Sequence, residues 1–91
     1  MLKTRIIKNK DCIRCAAYMK RLDKLGMSYV TLDIAEEDPK VLDKWKVRDL
    51  PVVQIVDDDK NVVHQFPYSP GGVSPRAINY IIEEKSKGDK K

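Results

Sequence analysis

Cys12-Ile13-Arg14-Cys15 holds the chain's two cysteines, and its position limits what the surrounding residues can build. An apolar, partly β-branched stretch runs up to it from Leu2 to Lys8, and an amphipathic stretch begins at it. A C-x-x-C at a strand-to-helix junction has the spacing of a redox pair. With Cys12 at the helix cap, its sulfur faces free backbone N–H groups and the positive end of the helix dipole. Both favour the thiolate, which is the reactive form. Cys15, three positions on, lies on the same helix face within reach of the first sulfur. The pair can close into a disulfide with little backbone movement.

Other readings of the pair stand beside this one. Half a zinc knuckle has the same spacing, but a structural zinc site takes four ligands. This chain has no third cysteine, and His64 is its single histidine. A purely structural disulfide closing so short a loop adds little, because the stabilisation grows with loop length. An inert remnant of a former redox site is the third reading, since a fold can outlive its function.

The rest of the chain alternates between strand and helix patterns. Leu2–Lys8 reads as a first strand and Asn9-Lys10-Asp11 as a turn. Ile13, Ala16, Ala17, Met19, Leu22 and Leu25 then follow a helical stripe that Gly26 stops. Ser28–Ile34 is a second strand. Asp38-Pro39 starts a short helix, with Asp as cap and Pro at the first helical position, and Val41, Leu42 and Trp45 form its apolar side. After Pro51, the run Val52, Val53, Ile55, Val56 suits a sheet interior. Asp57–Asn61 is a tight polar connection, and Val62–Phe66 a fourth strand, making a hairpin with the third. Pro67–Gly72 is a loop. Ser74-Pro75 starts the last helix, with Ala77, Ile78, Ile81 and Ile82 facing inward.

The order β-α-β-α-β-β-α predicts an α/β domain with a four-stranded mixed sheet and three helices. Helical crossovers make the first three strands parallel, and the hairpin adds one antiparallel edge. Two helices cover one face of the sheet and one covers the other.

Ninety-one residues make one domain, and 42% apolar with 35% charged residues fits a soluble globular protein. No apolar run approaches the ~20 residues of a membrane span. The opening residues lack the long apolar region of a secretory signal. The cytoplasm is therefore the expected location, where cysteine pairs tend to be catalytic. Residues 85–91 carry four lysines against one aspartate, which is three of the four net positive charges. We read them as a basic, solvated tail after a domain spanning residues 1–84. The near-neutral remainder argues against nucleic-acid binding.

Over roughly residues 2 to 84 the chain resembles the thioredoxin fold, and specifically the glutaredoxins and small glutaredoxin-like redoxins. Cys12-Ile13-Arg14-Cys15 occupies the family's C-x-x-C position directly after the first strand. Leu50-Pro51 stands where the family has a cis-proline before the third strand. Gly71-Gly72 precedes the last helix, like the glutaredoxin glycine pair. The chain departs from the pattern too. Glutaredoxins usually have Pro-Tyr between the cysteines and Thr-Val before the proline, where this chain has Ile13-Arg14 and Asp49-Leu50. The stretch from Pro51 to Gly71 is also longer than usual.

Cys12, at the cap and the more accessible sulfur, is expected to attack a target disulfide, and Cys15 to resolve the mixed disulfide. Arg14, Lys8 and Lys10 favour the thiolate and Asp11 opposes it. Ile13 is an exposed apolar contact for a partner. The resemblance implies that Pro51 is cis and faces the cysteines, that the Leu50 backbone pairs with a bound substrate strand, and that Gly71, Gly72 and Val73 lie near a glutathione carboxylate. An ordinary helix-start turn is the other reading of that glycine pair. The implied activity is thiol–disulfide exchange on protein or small-molecule disulfides. It needs no cofactor beyond glutathione as co-substrate. Expected partners are a disulfide-containing protein, ribonucleotide reductase among them, and a reductase or glutathione as electron donor; a monomer is expected. Asp49 places a negative charge where the family has threonine, which predicts weak glutathione use. The competing functions are a thioredoxin-fold binding subunit with incidental cysteines, and an iron–sulfur cluster bridging two chains through Cys12 and glutathione. Cys15 argues against the second. His64 reads as a sheet-edge residue, Trp45 as core, and Asp33 as surface in preference to a buried proton acceptor.

Overall fold

The computed structural model describes residues 1–69 and 71–88, and its first strand lies in the middle of the sheet. β1 (Lys3–Lys8) is buried from Thr4 to Ile7, on both faces. That follows from its interior place in a four-stranded sheet of order β2-β1-β3-β4. The elements run β1, α1 (Ile13–Lys24), β2 (Val30–Asp33), a 3₁₀ turn (Ile34–Glu36), α2 (Pro39–Lys44), β3 (Val52–Val56), β4 (Val62–Gln65) and α3 (Pro75–Gly88). The expected element order and mixed sheet are present.

One face of the sheet packs on α1 and α3. Ile6, Val53 and Ile55 meet Tyr18 and Leu22 of α1 and Ile78 of α3, with Phe66 closing the cluster. Burying each large aliphatic side chain there contributes about 1.5–3 kcal/mol. Ala77, Ile81 and Ile82 pack on the same cluster, as the α3 stripe predicts. The opposite face carries Arg5 and Gln54, directly paired across β1 and β3. Trp45, at the end of α2, lies over the Arg5 guanidinium at 5.1 Å. Two helices on one face and one on the other is therefore the observed layering.

The direction of β3 corrects the sequence reading. β1 and β2 are parallel, but β3 runs antiparallel to β1 and to β4. Helix length explains this. The 12 residues of α1 span about 18 Å, close to the ~20 Å of β1, so the chain returns to the end where β1 began. The six residues of α2 span only about 9 Å, so they do not carry the chain back along β2. β3 starts near the end where β2 stopped and runs the other way.

Local signals set the helix ends. Gly26, at φ 71°, closes α1: Met27 N–H donates to the Leu22 carbonyl at 3.0 Å and Gly26 N–H to the Asp23 carbonyl at 3.0 Å. The Asp38 side chain accepts from Lys40 N–H at 2.9 Å, ahead of Pro39. In the β3–β4 connection, Asp57 accepts backbone N–H bonds from Asp59 and Asn61, each at 2.9 Å. The last helix runs through Gly88, so the first four residues assigned to a tail are helical. Residues 89–91 of that assignment, and Pro70 of the expected loop, lie outside the described residues.

Candidate active site

A turn closed by Cys12 N–H donating to the Asn9 carbonyl at 3.0 Å delivers the chain from β1 to the cap of α1. Cys12 is the N-cap, extended at φ −86° and ψ 105°. Its sulfur accepts from Cys15 N–H at 3.1 Å. This donor has no partner within the helix, and it favours negative charge on the sulfur it faces. Cys12 is half-buried and Cys15 has no exposed surface. The two are joined as a disulfide with Cα atoms 5.2 Å apart. Ile13, between them, is 85% exposed, an apolar side chain standing free beside the pair.

Arg14 is tied down. Its Nη1 donates to the Tyr68 hydroxyl at 2.7 Å, across 54 residues of sequence. Two further side chains of α1 reach the same loop. The Tyr18 hydroxyl donates to the Val73 carbonyl at 2.6 Å, and Arg21 Nη1 donates to the Gly71 carbonyl at 2.8 Å. Positions 14, 18 and 21 share one helix face, so α1 holds the loop before α3 by a row of three hydrogen bonds. Burial pushes the Tyr18 phenol above its ordinary range, although Arg21 pulls the other way, so Tyr18 acts as a neutral donor. Gly72 sits at φ 85°, flat against the Tyr18 ring, where a Cβ would collide with the ring carbons.

These contacts shape a groove of about 200 Å³ lined by Arg14, Ala17, Tyr18, Arg21, Pro51, Gly71 and Gly72. Four of the residues singled out from sequence therefore meet: Arg14, Pro51, Gly71 and Gly72. The Leu50-Pro51 bond is cis, as the resemblance implied. Pro51 is buried and Leu50 half-buried beside it. Tyr18, Arg21 and Tyr68 were not identified from sequence. The 14–18–21 spacing on one face was the available signal, hidden because the apolar stripe of α1 overlaps it.

Other expectations resolve differently. Asp49 is exposed and does not line this groove; it lines a second one with Lys46, Arg48 and Tyr68. Lys8, expected to favour the thiolate, has its Nζ paired with Asp33 at 3.4 Å. Asp33 caps the 3₁₀ turn, and the Ala35 N–H at 2.9 Å, with Lys8 adding to it, holds its carboxyl below the ordinary value of 3.8. It is a charged turn cap, not a buried proton acceptor. His64 lies on edge strand β4, edge-on to Phe66 at 4.7 Å. Trp45 is half-buried over Arg5 and not part of the main core.

No family model and no curated protein sequence matches the chain. Solved structures do. Thioredoxin 1 from Thermosipho africanus TCF52B is similar at TM-score 0.62 and 20% identity, over 98% of this chain and 99% of that one. Spinach chloroplast thioredoxin f, in its short form, is similar at TM-score 0.61 and 17% identity, over 91% and 74%. Thioredoxin f2, from its complex with ferredoxin:thioredoxin reductase, is similar at TM-score 0.61 and 16% identity, over 93% and 77%. With the four-stranded mixed sheet, the three helices and the cysteine pair at the start of α1, these likenesses establish that the chain has the thioredoxin fold.

Proposed function

We propose that the chain is a dithiol thiol–disulfide oxidoreductase. The unequal access of the two sulfurs carries this reading: Cys12 is half-buried at the cap and faces the Cys15 N–H, while Cys15 is fully enclosed. In the reduced protein the Cys12 thiolate attacks one sulfur of a target disulfide. The target's S–S bond breaks, a mixed disulfide forms, and the departing sulfur takes a proton. Cys15, held one turn along the helix, then attacks the Cys12 sulfur. The mixed disulfide breaks, the second target sulfur leaves and is protonated, and the Cys12–Cys15 disulfide remains. Two electrons and two protons have passed to the target. The cap N–H stabilises Cys12 both as nucleophile and as the sulfur displaced when a donor reduces the pair again.

Exposed Ile13, with Leu50 and Pro51, offers the surface on which a target strand docks. That surface alone would also serve a non-catalytic binding subunit. Reduction of insulin with dithiothreitol separates the two: catalysis by the wild type and none by Cys12→Ser is expected, and equal rates for both would sink the oxidoreductase reading. The finer assignment is a glutaredoxin-like redoxin, supported by β1 leading directly into the cysteines and by Gly71-Gly72 beside the cis-proline. A protein reductase is the proposed donor. The complex of thioredoxin f2 with ferredoxin:thioredoxin reductase lends support to that choice. A coupled assay comparing thioredoxin reductase with glutathione plus glutathione reductase tests both statements.

A further inference from the structure

The groove lined by Arg14, which stands between Ile13 and Cys15 in the C-x-x-C, is charged in one sense only. Arg14 and Arg21 line it, and no carboxylate does. Each guanidinium is held by a neutral oxygen, the Tyr68 hydroxyl at 2.7 Å and the Gly71 carbonyl at 2.8 Å. Neither takes part in the ion pairs found among the described residues, which join Met1 to Asp58, Lys8 to Asp33 and Arg48 to Asp43. An arginine has five N–H donors in a rigid fork suited to carboxylates. The bonds to Tyr68 and Gly71 fix each fork in place and leave its remaining donors free. Part of the ordering entropy of two long side chains is thus already spent within the free protein. Pro51 lines the same groove, so this pair of cations shares it with a residue of the surface proposed above for a target strand.

We propose that Arg14 and Arg21 make this groove selective for disulfides flanked by carboxylates, a specificity that rests on the oxidoreductase reading above. An acidic residue beside the target cysteine meets a pre-positioned guanidinium, whereas a lysine there meets two like charges. Each partly exposed pair of this kind is worth up to about fivefold in affinity, and a repulsive pair costs a similar factor.

The test uses two synthetic peptide disulfides identical except for the residues flanking the cysteine, Glu in one and Lys in the other. The wild type should show about tenfold higher kcat/KM for the acidic peptide at low ionic strength, falling towards parity at about 1 M salt. The Arg14→Gln/Arg21→Gln double variant should lose the preference, and the Arg14→Lys/Arg21→Lys variant, which keeps both charges, should retain most of it. A third arm with glutathione disulfide separates the two sources of the same chemistry: faster turnover of the acidic peptide assigns the groove to proteins, and faster turnover of glutathione disulfide assigns it to the small molecule. Equal rates for the two peptides, or a preference that survives in the double glutamine variant, overturn the inference while leaving the oxidoreductase reading standing. Reduction of neither peptide overturns both.

Discussion

Gly72→Ala tests whether the loop beside the cysteines is as tightly fitted as its geometry states. Two costs combine. At φ 85° an alanine sits in the left-handed region, which is unfavourable by about 1–2 kcal/mol, partly offset by the lower entropy of its unfolded chain. The new Cβ would also lie 3.1 Å from Tyr18 Cγ and closer still to two other ring carbons. The ring has no room to give: Tyr18 is 3% exposed and its hydroxyl is bonded to the Val73 carbonyl. Overpacking of this kind costs about 1–3 kcal/mol. The expected loss is about 2–4 kcal/mol, or a fall in Tm of roughly 10–25 °C for a domain of this size. Urea unfolding of the disulfide form, followed by the fluorescence of the single tryptophan Trp45, measures it. Gly71→Ala is the internal control. Nothing lies within 4 Å of its added Cβ and its φ is not positive, so its effect should stay within about 0.5 kcal/mol. In a Tyr18→Ala background the Gly72→Ala cost should shrink to the backbone part, about 1 kcal/mol. A Gly72→Ala protein within about 0.5 kcal/mol of the wild type would refute the argument.

Alkylation of the reduced protein should label half-buried Cys12 before enclosed Cys15, and Cys15→Ser should accumulate a mixed disulfide with a target peptide; preferential labelling of Cys15 would reverse the assigned roles. Gln54→Leu should destabilise by about 2–4 kcal/mol, because Arg5 Nε and Nη2 both donate to Gln54 Oε1, at 3.0 and 2.7 Å, and would lose that acceptor in a buried setting. Adding Arg5→Met should restore much of the loss in chemical denaturation, and a double variant as unstable as the single one would contradict this account. The Asp57 carboxyl is held below its ordinary 3.8, chiefly by the Asn61 N–H, so its contribution is fully present above that value and is lost as pH falls through the lower folded value. Asp57→Asn keeps an acceptor oxygen but does not titrate, so its stability profile below about pH 4 should be flatter than that of the wild type; parallel profiles would show that the turn is indifferent to this charge.

Much of the site was legible because its signals are local. Cys12 caps α1 through an N–H three residues away, and Asp38-Pro39, Ser74-Pro75 and Gly26 start or stop helices by contacts within a single turn. Such contacts depend on neighbours in the chain, so residue type and spacing predict them. The stripe of Ala77, Ile78, Ile81 and Ile82 is legible for the same reason, since a helix repeats every 3.6 residues whatever it packs against.

The direction of β3 was decided elsewhere. A pattern of strand, helix and strand favours parallel pairing, but the result turned on how far the short α2 carries the chain. Arg5 and Gln54, separated by 49 residues, look like solvated polar positions until the sheet places them opposite each other and buries both. The groove is of the same kind. Arg14, Tyr18 and Arg21 reach Tyr68, Val73 and Gly71 across 50 to 55 residues, and Pro51 lines the same groove. Residue spacing alone placed Cys12 at the cap of α1 and Cys15 within the helix. Tertiary packing alone determined which charges line the groove, because only packing sets distances between residues that the chain keeps far apart.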